Sequence, residues 1–456
     1  MARGLSPCLR KDMKIKKIIG LIALVVLIAL GILCAVRWNV WFGNLPEKPY
    51  NTANVPHRIL LTFGDTDANS RNVSWCCGES LQTSFLQLAD GQDTLQVSAE
   101  GEIFKSRAGQ AAYYVAKLRN LQPGHDYSYR VSTGNQYSAW HHFNLSDQKH
   151  TSFLYVGDVQ DTIAGVANQL LKAAFRHHPD AQFLVCGGDL TERPMDEYWQ
   201  ETFNGLDSIG QSLPVLTVTG NHDYLKGLIY KLERRFSLIH SYFLNSMVGE
   251  NQVYTLRMND VQFFLLDSNR EFFYLYTQRQ WLKQQLEASD AKWKIVVLHH
   301  PLYSIRGKNN NLIQRWMFDD LIREYDVDLV LQAHEHAYAR MTAHNSDNQP
   351  VAPVYTVSHL SPKNYRIEFS DMFDKFGSGS RYYQKVETSE NALTLTAYDA
   401  VTQMLYDSLV ITKSAVLDYG SNIPEVIEFT PVPGNKKDAQ FAKRIEAYKN
   451  KKVLAP

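Results

Sequence analysis

The sequence predicts three structural parts: an N-terminal membrane anchor, an all-β sandwich and a layered α/β domain. Three observations lead there. A basic segment precedes an uncharged apolar run over 18–36, short β-rich runs divided by turn residues fill 57–147, and from 150 onward apolar strands alternate with helical patterns. A chain of 456 residues with 45% hydrophobic content can bury two cores. Its 47 Lys and Arg balance 47 Asp and Glu, so no global charge favours a polyanion, and nucleic acid is not an expected partner.

Segment 1–17 holds Arg3, Arg10, Lys11, Lys14, Lys16 and Lys17, whereas only Arg37 directly follows the apolar run. That asymmetry keeps 1–17 in the cytoplasm and sends everything after 36 outside. A cleavable signal has an apolar region of ~7–15 residues before a small-residue site. This run is longer and no A-x-A follows it, so an uncleaved signal anchor is expected. Cleavage would instead make the protein secreted. Residues 37–56, with Pro46, Pro49 and Pro56, read as a linker. The five cysteines (Cys8, Cys34, Cys76, Cys77 and Cys186) form no disulfide framework: one is cytoplasmic, one lies in the span and two are adjacent.

Within 57–147 the runs 59–63, 73–75, 83–88, 112–116 and 127–131 have strand composition, and their spacing suggests a β-sandwich. Residues 118–131, LRNLQPGHDYSYRV, resemble a stretch of fibronectin type III domains. From 150 to 413 each apolar strand ends in a polar motif: Gly157-Asp158, Gly188-Asp189, Gly220-Asn221-His222-Asp223, His299 and His334-Glu335-His336. Ligand sites in open α/β sheets form beyond the carboxyl ends of strands, so these scattered motifs can converge. Alternating strands over 393–413 close the domain, and the tail 414–456 carries a polar helical pattern over 436–452.

Two neighbouring cations need a bridging carboxylate, imidazole and oxygen ligands, and an open position for water. Asp158, Asp189, Asn221, His299, His334 and His336 supply that inventory. Gly-Asp after a strand is common, and a lone strand-end histidine is usually structural. The ordered combination is far more specific. With His299-His300-Pro301, it resembles the motif series of calcineurin-like metallophosphoesterases. HEHAYAR over 334–340, the stretch 280–304 and Leu265-Leu266-Asp267-Ser268 narrow the resemblance to purple acid phosphatases.

The resemblance implies an extracytoplasmic phosphomonoesterase acting on phosphate esters through two metal ions of iron, zinc or manganese. Asp158, Asp189 and His336 would hold one metal. Asp189, Asn221, His299 and His334 would hold the other, with Asp189 bridging. His222 would contact phosphate or protonate the leaving oxygen, and Asp223 would orient it. His300 occupies a position the family does not use as a ligand.

Several positions depart from the family. Glu192 stands where purple acid phosphatases have the tyrosine that binds ferric iron; it is either a substitute oxygen ligand or a solvated loop residue. Gln160 stands where many metallophosphoesterases have a ligating histidine and is a weaker candidate ligand. The phosphate-facing histidines after the HxP motif are missing, and Arg306 and Lys308 are the basic residues that could replace them. A phosphodiesterase or nucleotidase would use the same core. A degenerate adhesion protein would have lost ligands, and all six are present.

Overall fold

The computed structural model describes residues 7–64, 68–91, 93–146, 149–241, 249, 252–307 and 310–454. Apolar residues on every side of a helix leave it no face to bury in a small core, and the helix Pro7–Phe42 is of this kind over residues 18–36. Its portion Lys16–Phe42 is long and apolar enough to cross a membrane, and its apolar side chains are exposed. The helix runs six residues past the expected end of the span, carrying exposed Trp38 and Trp41 at its carboxyl end. It forms one compact unit with the loop Leu225–Lys231. Within that unit Asn44 donates to the Lys226 carbonyl at 2.9 Å and accepts from the Lys226 amide at 2.8 Å.

Glu47–Tyr224 and Leu232–Pro456 make the other unit. Its N-terminal β domain is antiparallel throughout. The long strand Asp93–Lys105 belongs to two layers: its first half pairs with Ser84–Asp90 and its second half with Gln110–Leu118. Side chains of both layers share one core, in which Trp75 stacks on Tyr114 and donates to Thr133 Oγ1. The opposite face of the layer that contains Gln110–Leu118, including Leu60, Phe104 and Tyr113, packs into the core of the following domain.

Residues 47–56, expected as a linker, are bound to this body. Arg235 is fully buried, and a buried guanidinium needs carboxylates around it. Glu47 at 3.0 Å, Asp196 at 3.4 Å and Glu233 at 3.5 Å supply them, so Glu47 is held in place.

The α/β domain is built from two seven-stranded sheets packed face to face over a common core. One has the strands Ser152–Val156, Phe183–Cys186 and Val215–Thr217 in parallel; the other has Val261–Leu265, Trp293–Val297 and Leu329–Gln332 in parallel. Near-continuous apolar composition suits strands covered on both faces. Helices Ala167–His177 and Asp196–Leu206 cover the first sheet, and Phe272–Glu287 and Leu312–Glu324 the second. The C-terminal stretch is part of this body. Val416–Asp418 extends the first sheet, and helix Lys436–Leu454 buries Phe441 and Ile445 against Phe376, with Tyr448 stacked on Phe369.

Candidate metal centre

Parallel strands point their carboxyl ends the same way, so the loops after them share one edge. Strand Ser152–Val156 leads to Asp158, Phe183–Cys186 to Asp189, Val215–Thr217 to Asn221, Trp293–Val297 to His299, and Leu329–Gln332 to His334 and His336. Four of these residues have left-handed backbones: φ is 41° at Asp158, 53° at Asp189, 70° at His334 and 45° at His336. For non-glycine residues this costs on the order of 1 kcal/mol each and persists only where surroundings enforce it. Glycine makes room beside them. A Cβ on Gly220 would lie 2.0 Å from Asp189 Oδ1, and one on Gly188 (φ 92°) would lie 2.6 Å from the Gly220 amide nitrogen.

The ligating atoms converge. One atom each of Asp158, Asp189 and His299 lies within 4.8 Å of the others, and all three residues are buried. His299 Nδ1 donates to the Gly187 carbonyl at 2.8 Å, which turns Nε2 toward Asp189 Oδ2 at 3.4 Å, Asn221 Oδ1 at 3.2 Å and His334 Nδ1 at 3.2 Å. With His299 neutral, these are acceptors facing acceptors, an arrangement that calls for a cation between them. On the other side His336 Nε2 lies 3.6 Å from Asp158 Oδ1 and 3.0 Å from Gln160 Nε2. Asp158 Oδ1 and Gln160 Oε1 are buried without hydrogen bonds. Such orphaned oxygens fit a metal ligand set.

The electrostatics agree. Burial pushes Asp158 well above the usual carboxylate range, with His299 opposing it. Burial would also raise Asp189, but His299 and His222 hold it below that range. Burial lowers His299, yet Asp189 raises it to about 9, so the buried carboxylates draw a positive charge into the pocket that a metal would supply. Burial keeps His336 at about 2 and His334 well below its ordinary value, so both are neutral and able to ligate.

His222 stands beside this cluster. Its amide donates to Asp189 Oδ1 at 2.7 Å, and its Nδ1 donates to the Glu192 carbonyl at 2.5 Å, leaving Nε2 as the ring's second, uncommitted nitrogen. Asp223, the expected orienting partner of His222, makes its hydrogen bond to the turn. Its Oδ2 accepts from the Gly220 amide at 2.7 Å and so closes the short turn Asn221–Asp223, because a carboxylate three residues on is within reach of that amide. Burial, with Asp189 close by, pushes Asp223 up to about 8.

The Glu192 side chain is partly buried and pairs with Lys363 Nζ at 2.7 Å. Arg306 is exposed and lies over the Tyr365 ring at 4.3 Å, and that ring lies 4.5 Å from His336. Lys308 lies outside the described residues. His300 accepts or donates at Ser268 Oγ, 3.0 Å away, and packs against His334 without joining the ligating atoms. Glu335, between the two ligand histidines, is buried and accepts from Ser304 Oγ and the Ile305 amide, tying the two histidine loops together. Lys363 and Tyr365, from the loop between Pro350–Val357 and Lys375–Gly377, escaped sequence reasoning because no motif marks them.

Residues 151–338 match the calcineurin-like phosphoesterase family, and residues 56–145 match the purple acid phosphatase N-terminal domain. The chain is 24% identical to purple acid phosphatase 5 of Arabidopsis thaliana over 63% of its length and 71% of that protein. It is 22% identical to phosphoenolpyruvate phosphatase of Allium cepa over 62% of its length and 63% of that protein. The solved purple acid phosphatase PPD1 of yellow lupin shares the fold, with a TM-score of 0.66 at 15% identity over 84% of this chain and 78% of that one. The chain is a metallophosphoesterase of the purple acid phosphatase type, a purple acid phosphatase N-terminal domain followed by a calcineurin-like phosphoesterase domain.

Proposed function

We propose that this protein is a phosphomonoesterase held at the outer face of a membrane, with two metal ions sharing Asp189. The observation that carries this reading is the buried convergence of Asp158, Asp189 and His299, flanked by Asn221, His334 and His336. Asp158, Asp189 and His336, with Gln160, would hold one ion; Asp189, Asn221, His299 and His334 would hold the other. Metal ions bound there would supply charge neutralisation at the phosphoryl oxygens and a water acidic enough to act as the nucleophile. His222, its Nδ1–H held by the Glu192 carbonyl, would as the imidazolium give a proton from Nε2 to the leaving oxygen and be left as the neutral ring. Asp223 keeps the turn that carries His222 closed. Arg306, placed over Tyr365, contacts a phosphate oxygen.

The name of the Allium cepa relative, a phosphatase of a phosphomonoester, supports the monoester preference. Antiparallel pairing around the buried Trp75 supports a fibronectin III-like sandwich for the N-terminal domain. The basic segment before the helix supports a cytoplasmic N-terminus and an external catalytic body. Chelator-stripped protein assayed with p-nitrophenyl phosphate and bis(p-nitrophenyl) phosphate tests the activity. Metal should restore monoester hydrolysis first. Restoration of diester hydrolysis alone would make the protein a phosphodiesterase. Protease added to intact spheroplasts should cut beyond residue 52; full protection would refute the topology.

A further inference from the structure

Helices Phe272–Glu287 and Leu312–Glu324 follow the strands Val261–Leu265 and Trp293–Val297, so their first turns stand at the same sheet edge as the ligand loops. Instead of polar residues, those turns expose Phe272, Phe273, Tyr276, Leu312, Ile313 and Trp316; Phe273 is 80% and Trp316 68% accessible. The rings of Phe272 and Trp316 stack across the two helices at 5.7 Å and 27°. Single exposed apolar residues need no explanation, but six together mark a surface that binds something. The ledge is rigid: Arg279 binds Asp320 with both guanidinium arms and the Met317 carbonyl, locking one helix to the other. It is also tied to the loops of the metal centre by hydrogen bonds. Gln314 donates to the Ser268 carbonyl at 3.1 Å, and Ser268 Oγ meets His300, the neighbour of His299. Asn269 donates to the carbonyl of Thr219, just before Gly220-Asn221.

We infer that this ledge takes the leaving group of the phosphate monoester, and that the preferred substrate is a phosphate ester of a long apolar alcohol, a lipid phosphate. The inference rests on the phosphomonoesterase reading above. Phosphate sits at the metal centre while the chain lies over Phe272, Phe273 and Trp316. Water oxygen bonds to phosphorus, the bond from phosphorus to the alcohol oxygen breaks, and that oxygen takes a proton, releasing inorganic phosphate and free alcohol. The same chain carries a helix long enough to cross a bilayer, and a bilayer is where such amphiphiles collect.

The test is a series of ethyl, butyl, hexyl and octyl phosphates below their micelle concentrations, with the full-length protein in lipid nanodiscs. Burial of each added methylene on the ledge should raise kcat/KM by about two- to fourfold. In Phe273→Ser/Trp316→Ser the rise should flatten. Partition into lipid is common to both proteins, so the difference in slope reads the ledge alone. Both substituted residues are exposed, ethyl phosphate hydrolysis reports folding, and Phe273→Ser alone should flatten the slope partway. Parallel slopes in the wild type and both variants would overturn the inference while leaving the monoesterase standing, and would mean that the ledge faces the bilayer or a protein. Hydrolysis of no alkyl phosphate by the metal-loaded wild type would refute the monoesterase reading and this inference with it.

Discussion

His299 and Gly187 are joined by a hydrogen bond of 2.8 Å from imidazole Nδ1 to the carbonyl, and this bond decides which ring nitrogen faces the centre. Gly187 follows the strand Phe183–Cys186 and precedes Gly188-Asp189, so the loop that supplies Asp189 also sets the tautomer of a histidine from the other sheet. Outer contacts of this kind commonly alter metal affinity or activity by 10–100-fold.

Asp189 occupies the middle of that arrangement, with Oδ2 toward His299 and Oδ1 receiving the His222 amide. Asp189→Asn should therefore lower turnover by more than about 100-fold, beyond the range of an outer contact, and by more than any single change among Asn221, His334 and His336. Metal analysis beside steady-state kinetics checks it. Near wild-type turnover with full metal content would refute sharing of Asp189.

His222→Ala should reduce kcat by ~10²–10⁴-fold, the usual contribution of a positioned general acid. Bound metal should stay nearly constant, since only the backbone amide of His222 touches Asp189. If metal and activity fall together, His222 is a ligand or a folding residue.

The convergence of the motif residues was legible in the sequence because each motif ends an apolar strand, and parallel strands bring their ends together whatever lies between them. The role of Asp223 was not legible. Adjacency to His222 suggested a pair, but a carboxylate three residues past Gly220 closes onto that glycine's amide instead. Lys363 and Tyr365 were invisible because an irregular loop delivers them, and only the folded chain brings Lys363 to Glu192 and Tyr365 to His336. The helix of the tail was legible, but its packing was not, for a related reason. Its helix is mostly polar, and the few apolar residues that bury it, Phe441 and Ile445, are too sparse to announce a packed face.

Away from the centre, His240 gives the fold a pH dependence. Burial lowers it to about 4, although its Nδ1 donates to the Phe236 carbonyl at 2.9 Å. The native state therefore favours the neutral ring. Below the ordinary histidine value of 6.5 the unfolded chain takes up a proton that the folded chain refuses until about pH 4, so stability is complete above 6.5 and is lost as pH falls through that window. The gap is worth about 3 kcal/mol. His240→Gln keeps a donor for Phe236 and cannot ionise, so denaturant melts should show a flatter loss of stability between pH 6.5 and 4. An unchanged slope would assign the acid sensitivity elsewhere.

The last prediction concerns colour. Purple acid phosphatases owe theirs to charge transfer from a tyrosinate to ferric iron, and the position of that tyrosine is Glu192 here. Its carboxylate is engaged by Lys363, and its carbonyl by His222. The nearby Tyr224 is no substitute, since its hydroxyl donates to Asp267. Carboxylates and imidazoles give no comparable visible band. They also suit several metals, among which geometry and supply decide more than raw affinity. The isolated enzyme should be colourless or faintly coloured, and after chelation it should regain phosphoesterase activity with zinc or manganese alone. A strong visible band in the isolated protein would contradict this, and loss of that band in Tyr365→Phe would then identify the ring beside His336 as the ligand.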